Sequence, residues 1–354
     1  MELPTCDNPV TVVEGDALDV MRSMPAASVD LILTDPPYFR TVRESWDNEW
    51  ETAADFLAWL GRVADEWRRV LKPAGSLYCF ASPRMAARVE LMLAERFDVL
   101  NSIVWKKDSP CAALRYGPES FRGYVEMSER AIFAEQRGSD ELADDASGYT
   151  SQCEATKRRV FGNYIRDEMR RAGVTNRQVA ALFPSATGGM TGCVSNWLMG
   201  YNVPTPEQYA AIRDLLNAHG GEFLRREHEE LRREHEFLRR EHEELRREHE
   251  ELRRPFFADM SRPYADVWVY KPVAPARLTH PCEKPVRMLR DILVTATRPG
   301  AMVLDCFAGS GSLGESVLKE DRRAVLIERD PKYAATARER VENARGTGLL
   351  AGIA

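Results

Sequence analysis

Apolar positions along the chain follow two periods, and the way these alternate sets the expected architecture. From Thr11 to about Phe133, short β-branched or aromatic runs alternate with longer stretches whose apolar residues return every three or four positions. That is how the strands and helices of an α/β domain read. Residues 29–34 read as a buried strand, stopped by Pro36-Pro37. Phe56, Leu60, Val63, Trp67 and Leu71 share one helix face, and Lys72-Pro73-Ala74-Gly75 ends that helix. Residues 75–80, 103–105 and 131–133 are further strand candidates.

The character changes near Glu135. Residues 136–156 are polar, small and acidic and read as a linker. Residues 157–218 then read as helices near 160–171, 178–183 and 194–199, the second opened by a capping box of Thr175 and Gln178 and the third closed by Gly200. From Phe223 to Arg254 the chain repeats every seven residues (FLRREHE, ELRREHE, FLRREHE, ELRREHE, ELRR). One helix is expected through 219–254, with leucines 224, 231, 238, 245 and 252 at d positions and histidines 228, 235, 242 and 249 at a positions. Self-association as a coiled coil competes there with a solvated single helix. Metal binding by the histidines ranks below both, because neighbours in the stripe lie about 10 Å apart along the axis. After Pro255 the α/β pattern resumes: strands near 266–270, 302–305 and 324–327, helices near 286–297, 313–319 and 331–345. Neither flank holds a full set of strands, so residues 1–135 and 255–354 are read as two halves of one sheet with the middle inserted between them.

Composition narrows the class. The chain has 354 residues, 29% charged and 44% hydrophobic, which excludes disorder throughout. No stretch reaches the roughly 18 apolar residues of a membrane span, and the first residues lack a signal peptide's pattern, so a cytoplasmic protein without a membrane partner is expected. The seven cysteines show no C-x-x-C spacing, so neither disulfides nor a metal is expected. A formal net charge of −6 argues against a globally basic nucleic-acid binder but leaves local patches open.

Two segments carry candidate chemistry. Phe307-Ala308-Gly309-Ser310-Gly311-Ser312-Leu313-Gly314 follows the strand ending at Asp305 and opens a helix, where glycines let backbone approach a ligand. Glu328 ends the next strand, placed to accept hydrogen bonds from ribose hydroxyls. A nucleoside-bearing cofactor follows, and the glycines alone leave NAD and S-adenosylmethionine both open. Asp35-Pro36-Pro37-Tyr38 sits at the carboxyl end of a strand, where clefts of open α/β sheets form. Its prolines lack N–H donors, so the segment offers acceptors and one flat ring to a planar heterocycle that bears an amine.

Together, DPPY, the FAGSG loop and His280-Pro281-Cys282-Glu283-Lys284-Pro285 resemble the amino-methylating DNA methyltransferases, in that family's β order of motifs with a central target-recognition insert. The resemblance covers roughly residues 11–135 and 260–345. It implies a Rossmann-like α/β S-adenosylmethionine-dependent methyltransferase sheet, with an all-helical insert and a heptad-repeat helix. It further implies that Asp35 and the Pro36 carbonyl hold the target amine, with Pro37 and Tyr38 completing the site and Tyr38 stacking on a base flipped out of double-stranded DNA. Asp16, in a segment like the one preceding DPPY, is expected near the cofactor's adenine. His280, Lys284 and Pro285 are expected over its methionine part, and Asp305, Phe307, Gly309, Gly311 and Glu328 around its nucleoside. Cys282-Glu283 departs from the commoner Thr-Gln. DPP implies adenine N6, with cytosine N4 as the alternative.

Residues 157–177 hold seven basic side chains (Lys157, Arg158, Arg159, Arg166, Arg170, Arg171, Arg177) against Asp167 and Glu168, a candidate phosphate-facing patch. Residues 193–209 resemble the recognition helix and following turn of repressor-type helix-turn-helix domains, which makes Thr191, Ser195 and Asn196 candidate base contacts beside Arg158, Arg159 and Arg166. Two rival readings stand: an NAD-dependent oxidoreductase, and a non-enzymatic DNA-binding regulator oligomerising through the heptads.

Overall fold

The computed structural model describes residues 1–108, 124, 126–147, 160–185, 192–258, 265–274 and 278–351. It divides into one unit of Met1–Asp140 with Arg253–Ala354 and a second of Glu141–Leu252.

The first unit holds one sheet of eight strands: β1 (Val10–Glu14), β2 (Val29–Thr34), β3 (Leu71–Ala81), β4 (Asp98–Lys107), β5 (Ser128–Glu135), β6 (Val267–Tyr270), β7 (Met302–Asp305) and β8 (Arg323–Glu328). Their order is β1-β8-β7-β2-β3-β5-β4-β6. All pairings are parallel except those of β5, which runs antiparallel to β3 and β4. Both flanks of the chain contribute, as the pattern requires: Leu31 pairs with Val303 and Ile32 with Leu304. Alternate residues enter opposite cores. Ile32, Leu77 and Cys79 join Phe56, Leu60 and Trp67 on one face, whereas Leu31, Leu33, Tyr78 and Phe80 join Ile292, Leu293 and Leu326 on the other. The helix Ala53–Val70 is anchored by a Thr52–Asp55 capping box, worth about 1 kcal/mol, and buries Trp67 completely.

The pattern missed β1 and the helices Ala17–Arg22 and Ala86–Ala94. The linker expectation over 136–156 is corrected in part, because Ser139–Ser147 is helical; residues 148–156 lie outside the described residues.

The second unit contains helices Phe161–Ala172, Asn176–Ala180, Cys193–Met199, Pro206–Asn217 and His228–Leu252. The Thr175–Gln178 capping box forms as expected. The heptad expectation needs correction at its start. Residues 223–227 precede the helix, Leu224 takes a left-handed φ of 50°, and its N–H donates to buried Glu168 at 2.9 Å. Leu224 and Leu231 are wholly buried among Phe161, Ile165, Trp197 and Tyr209. His228 packs on Phe161 and Tyr209, with ring centroids 5.4 and 5.6 Å away. The first heptads therefore complete the insert's own core, and the expected boundary at 218/219 does not separate two units. Among the described residues no group of three or more His, Cys, Asp or Glu could hold a metal ion, and no helix is long and apolar enough to cross a membrane.

Candidate active site

The chain leaves β2 toward β3 and leaves β7 toward β8, in opposite directions across the sheet. Beyond their adjacent carboxyl ends the two connections diverge at this switch point, and a cleft of about 200 Å³ opens there, lined from both halves of the chain. Asp35 and Gly309, far apart in sequence, both line it. Thr34 links the strand ends, its hydroxyl donating to Asp305 Oδ1 at 2.8 Å.

Asp35 sits in a buried charge network. Its Oδ2 is ion-paired with Lys284, which also lies 3.3 Å from Glu129. Glu129 in turn pairs with Lys107 at 2.5 Å and accepts the Tyr38 hydroxyl hydrogen at 2.7 Å. Burial raises the Asp35 carboxyl above its ordinary value; Lys284 opposes that rise and Glu129 adds to it. Burial also pushes Glu129 up, yet Lys284 and Lys107 together bring it below the usual range. Asp35 Oδ1 is buried and has no hydrogen-bond partner. An unpartnered buried acceptor is costly in the free protein, and it leaves one oxygen available to an incoming donor.

The loop after Asp35 is held by a residue that the sequence did not single out. Asp47 is completely buried and accepts from the N–H groups of Tyr38 (2.6 Å), Thr41 (2.6 Å) and Val42 (2.8 Å). Between them Phe39 and Arg40 take φ of 61° and 57°, which L residues tolerate poorly without such restraint. Pro36 and Pro37 line the cleft as expected. Tyr38 lines it too, but is only 6% exposed, with Lys284 Nζ 5.2 Å from its ring centre.

On the cofactor side, Gly309 and Gly311 have φ of 50° and 74°. A Cβ on Gly309 would stand 3.2 Å from the His280 ring, and one on Gly311 would stand 2.8 Å from the Ala337 backbone. Gly309 lines the cleft as bare backbone where a bulky ligand can approach, whereas neither Gly311, whose open side faces Ala337, nor Pro285 lines it, a correction to the expected cofactor contacts. Glu328 accepts from the N–H of Gly309 (2.8 Å) and of Asp330 (2.8 Å), which aims its carboxylate at the loop. Asp305 accepts from Phe307 N at 3.1 Å, and burial lifts its carboxyl to about 7. His280 stacks on Trp46 at 5.5 Å and meets Tyr333 edge-on at 4.5 Å; burial and then Lys284 bring its imidazole down to about 4, so the ring is neutral. Pro285 is buried and precedes helix Val286–Ala296. Asp16 lines the cleft while capping helix Ala17–Arg22 through Leu18 N at 2.9 Å. These groups fit a nucleoside-bearing sulfonium: a bare glycine turn, a carboxylate within reach of ribose hydroxyls and a wall of neutral rings. Trp46 Nε1 adds an unpartnered donor.

Lys284 departs from expectation. Its ammonium turns toward Asp35 and Glu129, two buried carboxylates that compensate its desolvation. The unusual Glu283 is explained by Arg340, 2.7 Å away, which also reaches Ser310 Oγ at 3.2 Å.

In the second unit, Ser195 and Asn196 are exposed on the helix whose opposite face buries Val194, Trp197 and Leu198. Arg166 is corrected as a free phosphate contact: its guanidinium donates to the Leu198 carbonyl at 2.6 Å and to Asn163 at 3.1 Å, tying two helices. Arg158, Arg159 and Thr191 lie outside the described residues.

Comparison with known proteins gives one direction. The chain is similar, at 24% identity over 338 residues covering 94% of this chain and 82% of the relative, to the DNA adenine methyltransferase YhdJ of Escherichia coli (strain K12). A shorter match, 30% identical over 119 residues and covering 28% of this chain and 32% of the relative, is to the type II methyltransferase M.HinfI of Haemophilus influenzae. Among solved structures the cytosine-N4-specific PvuII DNA methyltransferase shares the fold, with a TM-score of 0.51 at 12% identity over 96% of this chain and 91% of that one. The DNA methylase family model for N6 and N4 methyltransferases matches residues 29–339. The chain belongs to this family of S-adenosylmethionine-dependent DNA methyltransferases that act on exocyclic amines.

Proposed function

We propose that this methyltransferase acts in the cytoplasm on adenine N6 in double-stranded DNA, with the insert as its target-recognition region. The unpartnered Asp35 Oδ1, in a cleft shared with the glycine loop, carries the proposal. When bound, S-adenosylmethionine supplies a methyl group already activated by its sulfonium charge. Gly309 would allow the close approach, with Gly311 supplying the turn after it and Pro285 opening the helix Val286–Ala296; Glu328 would accept from ribose hydroxyls, and Asp16, Asp305, Phe307 and His280 complete the walls. Asp35 Oδ1 and the Pro36 carbonyl accept the hydrogens of the target amine, which fixes the nitrogen lone pair toward the methyl carbon. With the donor bound, the amine nitrogen would form its new bond to the methyl carbon as the carbon–sulfur bond breaks, the electron pair leaving with sulfur. The surplus proton on nitrogen passes to the Asp35 carboxylate. Positioning supplies much of the rate effect, because the donor is activated beforehand. The Tyr38 ring, fixed by Glu129 and Lys284, offsets part of the unstacking cost of a few kcal/mol when the base leaves the duplex.

The Asp of the DPP segment and the adenine-specific name of the E. coli relative favour N6; the shared fold of the PvuII enzyme keeps cytosine N4 as the second reading. In the insert, Ser195 and Asn196 are exposed on one helix face and are the base contacts of this reading, and Thr191, Arg158 and Arg159 remain candidate DNA contacts by sequence alone. Self-association through 223–254 would fall to the later heptads, where Phe237 and Leu252 are exposed.

Transfer of label from S-adenosylmethionine to duplex DNA, followed by hydrolysis and separation of the methylated bases, tests this. N6-methyladenine is expected. N4-methylcytosine as the sole product would reverse the base assignment, and no labelling of sequence-diverse DNA together with NAD binding would remove the activity itself.

A further inference from the structure

Glu129 has so far served only to fix the Tyr38 ring, yet it holds two groups that face Asp35. It is the second residue of β5, the reversed strand, opposite Trp105, and this antiparallel register carries its carboxylate to the carboxyl ends of the parallel strands. Tyr38 has one hydroxyl hydrogen and two carboxylates near it, Glu129 and Asp35, and donates to Glu129 at 2.7 Å. Lys284 bridges the same two carboxylates. We propose that Glu129 is a positioning residue for methyl transfer: by taking the Tyr38 hydrogen and sharing Lys284, it keeps Asp35 Oδ1 empty for the substrate amine. This inference rests on the methyltransferase reading above.

Several charged or titratable groups face Asp35 from the surrounding elements: Lys284 and Cys282 before helix Val286–Ala296, Glu129 on β5, Tyr38 on its own loop, Cys79 on β3 and Asp305 on β7. Among them Glu129 opposes ionisation of Asp35 and Lys284 favours it. Removing either charge therefore moves the acid limb of activity in opposite directions.

The test compares wild type, Glu129→Gln, Lys284→Met and the double variant Glu129→Gln with Tyr38→Phe in steady-state methylation of a duplex that wild type modifies. S-adenosylmethionine binding is measured by calorimetry alongside. In Glu129→Gln, kcat is expected to fall up to about 100-fold, as for a misplaced catalytic group, with cofactor affinity and the KM for DNA within twofold of wild type. Its acid limb moves to lower pH and that of Lys284→Met to higher pH. Adding Tyr38→Phe recovers part of the loss, because the hydroxyl that would turn to Asp35 is gone. Unchanged kcat and acid limb in a folded Glu129→Gln protein overturn the proposal. If that protein melts below the assay temperature, the Lys284→Met limb decides, an unshifted limb overturning it. Failure of wild type to methylate any duplex overturns the methyltransferase reading instead, a result distinct from both.

Discussion

Asp47 offers the sharpest test of how the catalytic loop is held. Asp47→Asn changes one oxygen to a donor in a site where three backbone N–H groups converge within 2.8 Å. The amide oxygen can still serve Tyr38 N or the Thr41–Val42 pair, but the NH2 group then faces the other donors. A hydrogen bond to a charged group contributes about 1.5–3 kcal/mol net, and an orphaned buried donor costs about 1–3 kcal/mol. Thr41 is exposed and can recover water, whereas the Tyr38 N–H is buried. The loss is thus nearer one and a half bonds than three, about 3 kcal/mol. At about 1.4 kcal/mol per tenfold, kcat/KM should fall roughly 100-fold. Because the loop loses its hold locally, the global denaturation midpoint should move much less than this. Steady-state methylation paired with urea denaturation reads both. An Asp47→Asn enzyme with kcat/KM within threefold of wild type would show that Asp47 merely fills space.

Asp35→Ala should abolish methylation while leaving calorimetric binding of S-adenosylmethionine intact; near-normal turnover would remove Asp35 from the chemistry. Gly311→Ala combines a left-handed φ, costing about 1–2 kcal/mol, with a backbone clash against Ala337 of about 1–3 kcal/mol, and should lower both the denaturation midpoint and cofactor affinity. Asp305 is raised to about 7 in the fold from an unfolded value of 3.8, so its contribution to stability is full below about pH 4 and is lost as pH rises through 7. Denaturation of Asp305→Asn relative to wild type should therefore shift in the variant's favour between about pH 5 and pH 8, and a pH-independent difference would contradict that burial. Leu231→Ala should destabilise the insert by about 2–5 kcal/mol, whereas Leu252→Ala, at an exposed site, should cost under about 0.5 kcal/mol; equal losses on thermal denaturation would contradict the packing of the heptads.

Asp35 and Gly309 were legible as neighbours because each follows a buried strand, and strand ends in a parallel sheet converge by topology. Glu129 and Asp47 were not. Neither lies in a glycine or proline punctuated segment, and each acts by accepting hydrogens from a residue whose position depends on three-dimensional pairing. Lys284 read as a cofactor contact because its motif does lie against the cofactor side; only the reversed register of β5 brings the second carboxylate that draws the ammonium across. The heptads showed their helix plainly but hid its partner. A stripe of histidine and leucine makes a poor seam with its own copy, yet serves well against the aromatic pair Phe161 and Tyr209. Arg166 looked like a phosphate contact because sequence counts charge and does not show which carbonyl already occupies it.

The points where the insert departs from and rejoins the catalytic sheet are tied together: Arg253 pairs with Asp140 at 3.1 Å, and Arg254 pairs with Glu135. The two cut ends form a closed collar that does not depend on what is strung between them. Exchange of one insert for another at this collar leaves the strands that perform methylation in place, so insert and sheet are free to diverge at separate rates.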